Sequence, residues 1–137
     1  MDKRTLKRAV EFHGHLGPYL VLGILAGEAG IERTGAGKHF GLEVKVYGAG
    51  QRPRSCLIDG LQLSTGATFG KGNIRKARGR GIRIEVRNLK NNKQAEISLK
   101  PSLLKGLSSL NGHKDSEAFA RRLARAGTRG RGLFQIK

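Results

Sequence analysis

The stretch Ile82-Arg83-Ile84-Glu85-Val86-Arg87 alternates an apolar with a charged side chain at every step. Successive side chains of a β-strand point to opposite faces of a sheet, so this pattern predicts a strand with one buried face. The same period of two recurs in residues 42–47 and 95–100, which predicts two further strands. One-sided burial is typical of a mostly antiparallel sheet with helices on one face and solvent on the other. Asn91-Asn92 favours a hairpin turn between the last two strands.

Two helices are predicted ahead of the first strand. Residues 2–12 repeat apolar side chains three and four apart and place charged ones on the opposite side, the pattern of an amphipathic helix. Gly14 should end that helix, and Pro18 favours the start of the next because proline is well tolerated at the first helical position. The second helix is apolar almost all round to Ala29, and we expect Gly30 to end it as a left-handed cap.

The rest of the chain completes an α+β pattern. Ser55 favours a helix over residues 56–63 by capping its first turn, and residues 73–78 are expected to add a short strand. Behind Pro101 we expect a short helix and then a longer one over residues 116–126.

The length of 137 residues is typical of one domain. We therefore expect a single α+β domain over residues 1–137, with a core over about residues 6–100 and a helical extension over residues 101–137. The predicted order is α-β-α-β-β-β, with N-terminal helices, a mostly antiparallel sheet of three or four strands and a C-terminal helix.

Composition restricts the compartment and the class of protein. The longest apolar run, residues 19–26, is far shorter than the roughly 20 residues that a membrane span requires. The N-terminus has no secretory signal pattern, so we expect a cytoplasmic protein without a membrane segment. The single cysteine, Cys56, cannot form an internal disulfide and is either a small buried residue or a reactive or metal-binding group.

The formal net charge of +17 indicates attraction to polyanions. Two interpretations stay open: a surface that binds RNA or DNA, or exposed faces that are rich in Arg and Lys without such a partner. Binding would be driven by phosphate groups, because aromatic side chains that could stack on bases are scarce and only Tyr47 is expected to face solvent from a strand. The cations that would carry it are Arg75, Lys76, Arg78, Arg80, Arg83, Arg87, Arg121, Arg122 and Arg125.

The first stretch with chemical potential is residues 12–18, which contains His13 and His15. On a continuous helix, two residues at this spacing point about 200° apart and could not share one ligand. The glycines around them imply a bend, in which both imidazoles could face one pocket. The alternative is that each is a hydrogen-bonded cap or core histidine.

The second stretch places Cys56, Asp59 and Gln62 three residues apart, on one face of the predicted helix, with apolar residues opposite. A thiol and a carboxylate on one rigid face suit a metal or nucleophile site. A half-exposed stripe with an inert cysteine explains the pattern equally well.

The third stretch, residues 64–73, is a Gly-rich loop with hydroxyl groups and Lys71. It does not fit a P-loop, because Gly66 and Gly70 enclose three residues instead of four and Gly72 follows the lysine. The loop could hold an anion with its backbone amides and Lys71, or form a tight turn only.

Together, the three stretches resemble the motifs of the E-type formylmethanofuran dehydrogenase (FmdE) family, in the right order and over about residues 6–99. The motifs are Phe12-His13-Gly14-His15-Leu16-Gly17-Pro18-Tyr19-Leu20-Val21-Leu22-Gly23, Cys56-Leu57-Ile58-Asp59-Gly60-Leu61-Gln62 and Thr65-Gly66-Ala67-Thr68-Phe69-Gly70-Lys71-Gly72-Asn73. The resemblance implies an α+β core of the same order. It also implies a pocket for zinc or another divalent transition metal, and a place in a larger oxidoreductase complex of one-carbon metabolism.

The same resemblance implies three groups of site residues by motif position. Metal ligands would be His13, His15 and Cys56. The groups at a reacting centre would be His15, Cys56, Asp59 and Lys71. Contacts to an anionic or one-carbon-carrier ligand would come from Thr65, Gly70, Lys71 and Asn73. The sequence departs from the pattern at Gly17 and Ala67, where many members carry Cys.

The second predicted helix also bears on assembly. It is apolar almost all round and carries Gly23 and Gly27, a spacing that lets another backbone approach closely. The C-terminal helix could cover it within one chain. We favour a homodimer, in which this helix or the sheet packs on its mate and the bend at His13 and His15 lies near the interface.

Overall fold

The structure, a computed structural model, describes residues 1–127 and 132–137. These residues form five α-helices and five strands. In chain order the elements are α1 (Lys3–His13), α2 (Pro18–Thr34), β1 (Leu42–Tyr47), α3 (Cys56–Thr65), β2 (Ile74–Ala77), β3 (Arg83–Asn88), β4 (Gln94–Leu99), α4 (Pro101–Ser108), α5 (Gly112–Ala126) and β5 (Phe134–Ile136). The predicted α+β class and the α-β-α-β-β-β order of its core are confirmed.

The strands form one sheet in the order β2-β1-β3-β4-β5. β1 pairs in parallel with β2, and the other neighbours are antiparallel. Burial alternates along β1 and β3, so Val44 and Val86 face the core while their charged neighbours face outward. The sheet has five strands, more than the three or four predicted. The fifth, β5, is only three residues long, too short to show the alternation from which the others were inferred.

α2 is the centre of the core, and α3 packs against it at very close range. A Cβ on Gly23 would collide with the Leu57 carbonyl oxygen, and one on Gly60 with the Leu20 carbonyl oxygen. The close approach expected of the α2 glycines is therefore met by α3. α5 and strands β3 and β4 cover the rest of α2 within the same chain. The apolar surface from which the homodimer was inferred is thus covered in the monomer, and the homodimer stays a prediction.

Gly30 does not end α2, as the sequence had suggested. The helix continues to Thr34 and ends at Gly35, which has a left-handed φ of 67°. The Gly30 position instead gives room to β3, since a Cβ there would clash with the side chain of Val86. Tight packing, which a single sequence does not reveal, explains this glycine.

α5 begins at Gly112, four residues before the predicted start, and this places His113 in its first turn. The helix buries Ala120, Leu123 and Ala124. None of the helices within the described ranges is long and apolar enough to cross a membrane.

Candidate functional site

A histidine–aspartate pair joins the end of α1 to α3. The distance from His13 Nδ1 to Asp59 Oδ2 is 2.6 Å. A carboxylate can only accept, so Nδ1 carries the ring proton and Nε2 presents its lone pair in the neutral ring. His13 Nε2 is buried and has no hydrogen-bond partner among the described residues. Burial without a partner is costly for a polar atom, and it marks this nitrogen for a ligand or a proton.

Gln62 extends this pair to the Gly-rich loop. Its Nε2 donates to Asp59 Oδ1 over 3.4 Å, and its Oε1 accepts from the backbone N–H of Phe69 over 3.0 Å. One helical turn separates Asp59 from Gln62, so a single face of α3 serves both. The hydrogen-bond chain His13–Asp59–Gln62–Phe69 therefore connects all three sequence motifs.

A cleft of about 350 Å³ lies beside this chain, between the end of α1, Gln62 and the loop. Its lining includes the cationic side chains of Arg8 and Lys71 and the rings of Phe12 and Phe69. Lys71 Nζ is held 3.2 Å from the hydroxyl oxygen of Thr68. The volume suits a small ligand, and the two cations favour an anionic one.

Large apolar rings are exposed around this cleft, which the sequence did not indicate. Phe12, Phe40 and Phe69 are 57%, 76% and 88% exposed. Tyr47, the strand aromatic expected to face solvent, has one ring face covered by the Arg83 guanidinium 3.9 Å from its centroid. The flat groups available for stacking therefore lie at the cleft and not on the sheet.

The predicted ligand contacts of the loop fall into two kinds. Thr65 is fully buried; its hydroxyl donates to the Leu61 carbonyl and accepts from the Ala67 N–H, so we assign it a structural role. Asn73 Nδ2 donates to the carbonyls of His39 and Leu42, and its Oδ1 accepts from the Thr68 N–H, which holds the loop in place. Gly70 and Lys71 line the cleft.

His15 and His113 continue the histidine cluster toward α5. The His13 and His15 ring centroids are 4.9 Å apart, and those of His15 and His113 are 6.4 Å apart. Both His15 and His113 are exposed and line a groove of about 540 Å³ between α1 and α5. His113 lies in a charged segment of the sequence with no motif around it, so nothing there pointed to it.

Cys56 is half-buried at the start of α3, one turn before Asp59. Burial raises the pKa of the Cys56 thiol, and the Asp59 carboxylate raises it further, while the Arg52 guanidinium partly opposes both. The sulfur is consequently protonated at neutral pH and is not a preformed thiolate.

The donor set offers an incomplete fit to a metal ion. His13 Nε2 has the character of a ligand, because Asp59 fixes the opposite ring nitrogen as carboxylates commonly do behind metal-bound histidines. Zinc sites use three or four protein ligands. No group of three His, Cys, Asp or Glu side chains within residues 1–127 and 132–137 is arranged to hold a metal. His13, His15 and Cys56 thus do not form a complete zinc site in this chain.

The predicted nucleic-acid cations separate into paired and unpaired sets. Arg83 pairs with Glu85 and Glu96 across the sheet, and Arg87 pairs with Glu43. On α5, Arg121 pairs with Glu117, Arg122 lies 5.5 Å from the Phe119 ring, and Arg125 Nε donates to the Arg121 carbonyl. Within the described part of the chain, the following cations form no salt bridge: Arg75, Lys76, Arg78 and Arg80.

Residues 12–130 match a protein family described as "FmdE, Molybdenum formylmethanofuran dehydrogenase operon", which is most of the 137 residues. The chain belongs to the FmdE family. The resemblance inferred from the three motifs is therefore confirmed, and the match begins at Phe12, immediately before His13.

Two known proteins are similar to this FmdE-family chain. A probable S-adenosyl-L-methionine-binding protein of Archaeoglobus fulgidus is 35% identical over 72 residues, which are 52% of this chain and 20% of that relative. A tungsten formylmethanofuran dehydrogenase FmdE-like protein from Syntrophus aciditrophicus has a TM-score of 0.71, at 16% sequence identity, over 98% of this chain and 70% of its own. At that identity the likeness shows the fold alone.

Proposed function

We propose that this FmdE-family chain binds a small anionic ligand of the one-carbon-carrier class in the cleft beside the His13–Asp59–Gln62–Phe69 chain. The observation that carries the proposal is that hydrogen-bond chain, because it joins three separated motifs at one place. Arg8 and Lys71 would attract the anion, and the exposed rings of Phe12 and Phe69 would cover its apolar part.

In this proposal His13 accepts a hydrogen bond or a proton at Nε2, and Asp59 holds the ring in the required tautomer. Nε2 is buried in the free chain, so a ligand group needs an opening to reach it. His15 can supply this opening: it is exposed, its ring lies next to that of His13, and Gly14 and Gly17 flank its short segment. His15, Cys56, Asp59 and Lys71 stay the predicted groups around a reacting centre.

Two further parts of the sequence-based prediction remain proposals. The family description names a dehydrogenase operon, which supports a role as a subunit of a larger oxidoreductase complex. Gel filtration of the chain mixed with the catalytic subunits of a formylmethanofuran dehydrogenase tests this, and separate elution would contradict it. For zinc or a related metal, elemental analysis of protein purified without added metal, compared with Cys56→Ala, would show whether an ion binds despite the incomplete ligand set.

The ligand proposal is tested by NMR titration with formate and with S-adenosylmethionine, the compound in the name of the Archaeoglobus relative. We expect the backbone signals of Phe12, Gln62 and Phe69 to shift and saturate together. Lys71→Gln should weaken that binding, while Lys90→Gln should not, because Lys90 is an exposed lysine outside the cleft. Titrations in which neither probe moves these signals would rule out the cleft as the site for this ligand class.

Nucleic-acid binding is the second candidate function. It is favoured by the four cations without salt bridges, Arg75, Lys76, Arg78 and Arg80, which follow one another along the edge strand β2 and the loop after it. Such binding would weaken at least about tenfold between low and physiological salt, because each phosphate contact releases counterions. Oligonucleotide titrations at two salt concentrations test this, and no binding at low salt would remove the candidate.

A further inference from the structure

A second cavity, of about 610 Å³, opens where the strands β1 and β2 end. These two strands are the parallel pair of the described sheet, and α3 lies in the segment that connects them. In sheets with parallel strands, ligands bind in the crevice outside the carboxyl ends of the strands. Gly48, which follows β1, and Gly79, which follows β2, both line this cavity. Its position is therefore that of a ligand site in a parallel α/β unit.

Cationic side chains dominate the lining of this cavity: Arg52, Arg54, Lys76 and Arg78. Its lining contains no Asp or Glu. None of the four forms a salt bridge with the described residues, unlike Arg83 and Arg87 on the open face of the sheet. Four like charges that converge without a carboxylate repel one another, and a bound anion would relieve this repulsion.

The remaining lining is open to a compact ligand. Gly48, Gly50 and Gly79 add no side chain, so a ligand could approach the backbone closely. Pro53 and Ala77 add small apolar surfaces, and no aromatic ring lines the cavity on which a base could stack. The cavity is thus built to recognise negative charge and not a flat ring.

We propose that this cavity binds the polyphosphate group of a small phosphorylated molecule, such as a nucleoside diphosphate or triphosphate. Guanidinium groups form paired hydrogen bonds with phosphate oxygens, and three arginines line this site. A polyphosphate carries several charges within a short distance, which matches four cations around one cavity better than a single carboxylate does. The site is distinct from the His13 cleft, since the two cavities share no lining residue.

The test is calorimetric titration with inorganic pyrophosphate and with ATP, in phosphate-free buffer at physiological salt. Arg54→Gln/Arg78→Gln removes two lining charges, and Arg75→Gln/Arg80→Gln removes two equally exposed charges from the same region but outside the lining. Both variants therefore have the same net charge. We expect saturable binding that the first variant weakens at least about tenfold and the second by less than about twofold.

Three outcomes would overturn the proposal. The first is the absence of pyrophosphate and ATP binding to the unmodified chain. The second is an equal loss in both variants, which would indicate general attraction to a basic surface. The third is binding of oligonucleotides but not of pyrophosphate, which would favour the nucleic-acid candidate. Circular dichroism of both variants confirms that each is folded before its affinity is interpreted.

Discussion

The two faces of α3 are built on different principles. The face toward α2 carries Leu57, Gly60 and Leu61, and its fit depends on the absence of side-chain atoms at the glycine. The opposite face carries Cys56, Asp59 and Gln62, and its order depends on hydrogen bonds to α1 and to the loop. The first face fixes where the helix lies, and the second uses that position to bring the motifs together. A change on the first should therefore cost more stability than a change on the second.

Gly60→Ala should have the largest effect. The new Cβ would strike the Leu20 carbonyl oxygen, a backbone atom that cannot rotate away. We expect a loss of about 3 kcal/mol or more in the free energy of unfolding, measured by urea denaturation, because overpacking here forces two helices apart.

The matched control is Gly106→Ala on α4. A Cβ at this position meets no atom within 4 Å, so helix propensity alone should decide the result. We expect a gain of about 0.5 kcal/mol. A similar loss for both variants would mean that the α2–α3 contact is not the tight interface described above.

Asp59→Asn tests the opposite face. The variant keeps the shape of the side chain but removes the charge that accepts the Nδ1 proton of His13. We expect a loss of about 1–2 kcal/mol in unfolding free energy, since a partly buried charge-assisted hydrogen bond is lost. Nitrogen NMR should also show His13 losing its fixed Nδ1–H tautomer. An unchanged tautomer would contradict the role given to Asp59.

Much of this contrast could be predicted from the sequence, because it depends on periodicity. Cys56, Asp59 and Gln62 recur at helical spacing, which placed them on one face before any fold was known. Gly30 shows the limit: in sequence it was indistinguishable from a helix cap, and only the contact with Val86 explains it. Helix interiors and caps both use glycine, and tertiary packing decides between them.

The site was predicted less completely than the fold, for a related reason. His13 and Asp59 belong to motifs and were found, whereas Arg52, Arg54 and His113 lie in segments without a pattern and enter clefts only through the tertiary fold. Thr65 belongs to a motif as well, but its hydroxyl bonds within the α3 terminus. A motif therefore identified the region and not the role of each residue.

The reactivity of Cys56 sharpens the electrostatics of the polar face. Its raised pKa leaves a smaller thiolate fraction at any given pH than an ordinary thiol has, so its alkylation by the neutral reagent iodoacetamide should be slow. Asp59→Asn removes a charge that raises this pKa and should speed the reaction about twofold or more, whereas Arg52→Gln removes a charge that lowers it and should slow the reaction. The rate measured from neutral to alkaline pH tests this. Equal pH profiles for the three proteins would show that neither charge acts on the thiol, and the unfolded chain supplies the reference rate.

The smallest effect is expected for Glu43→Gln, which breaks an ion pair with the same 2.6 Å separation as the His13–Asp59 contact. The two differ in burial: the Glu43 and Arg87 side chains are 42% and 39% exposed, whereas His13 is 10% exposed. Water screens the exposed pair and already solvates both charges when they separate, so its loss should cost no more than about 0.5 kcal/mol. The cost should also disappear in concentrated salt, where the screening length falls to a few ångströms. Urea denaturation of Glu43→Gln and Asp59→Asn at low and high salt compares them directly. If Glu43→Gln costs as much as Asp59→Asn, contact distance and not burial governs the stability of these pairs, and the special place given to the polar face of α3 would be lost.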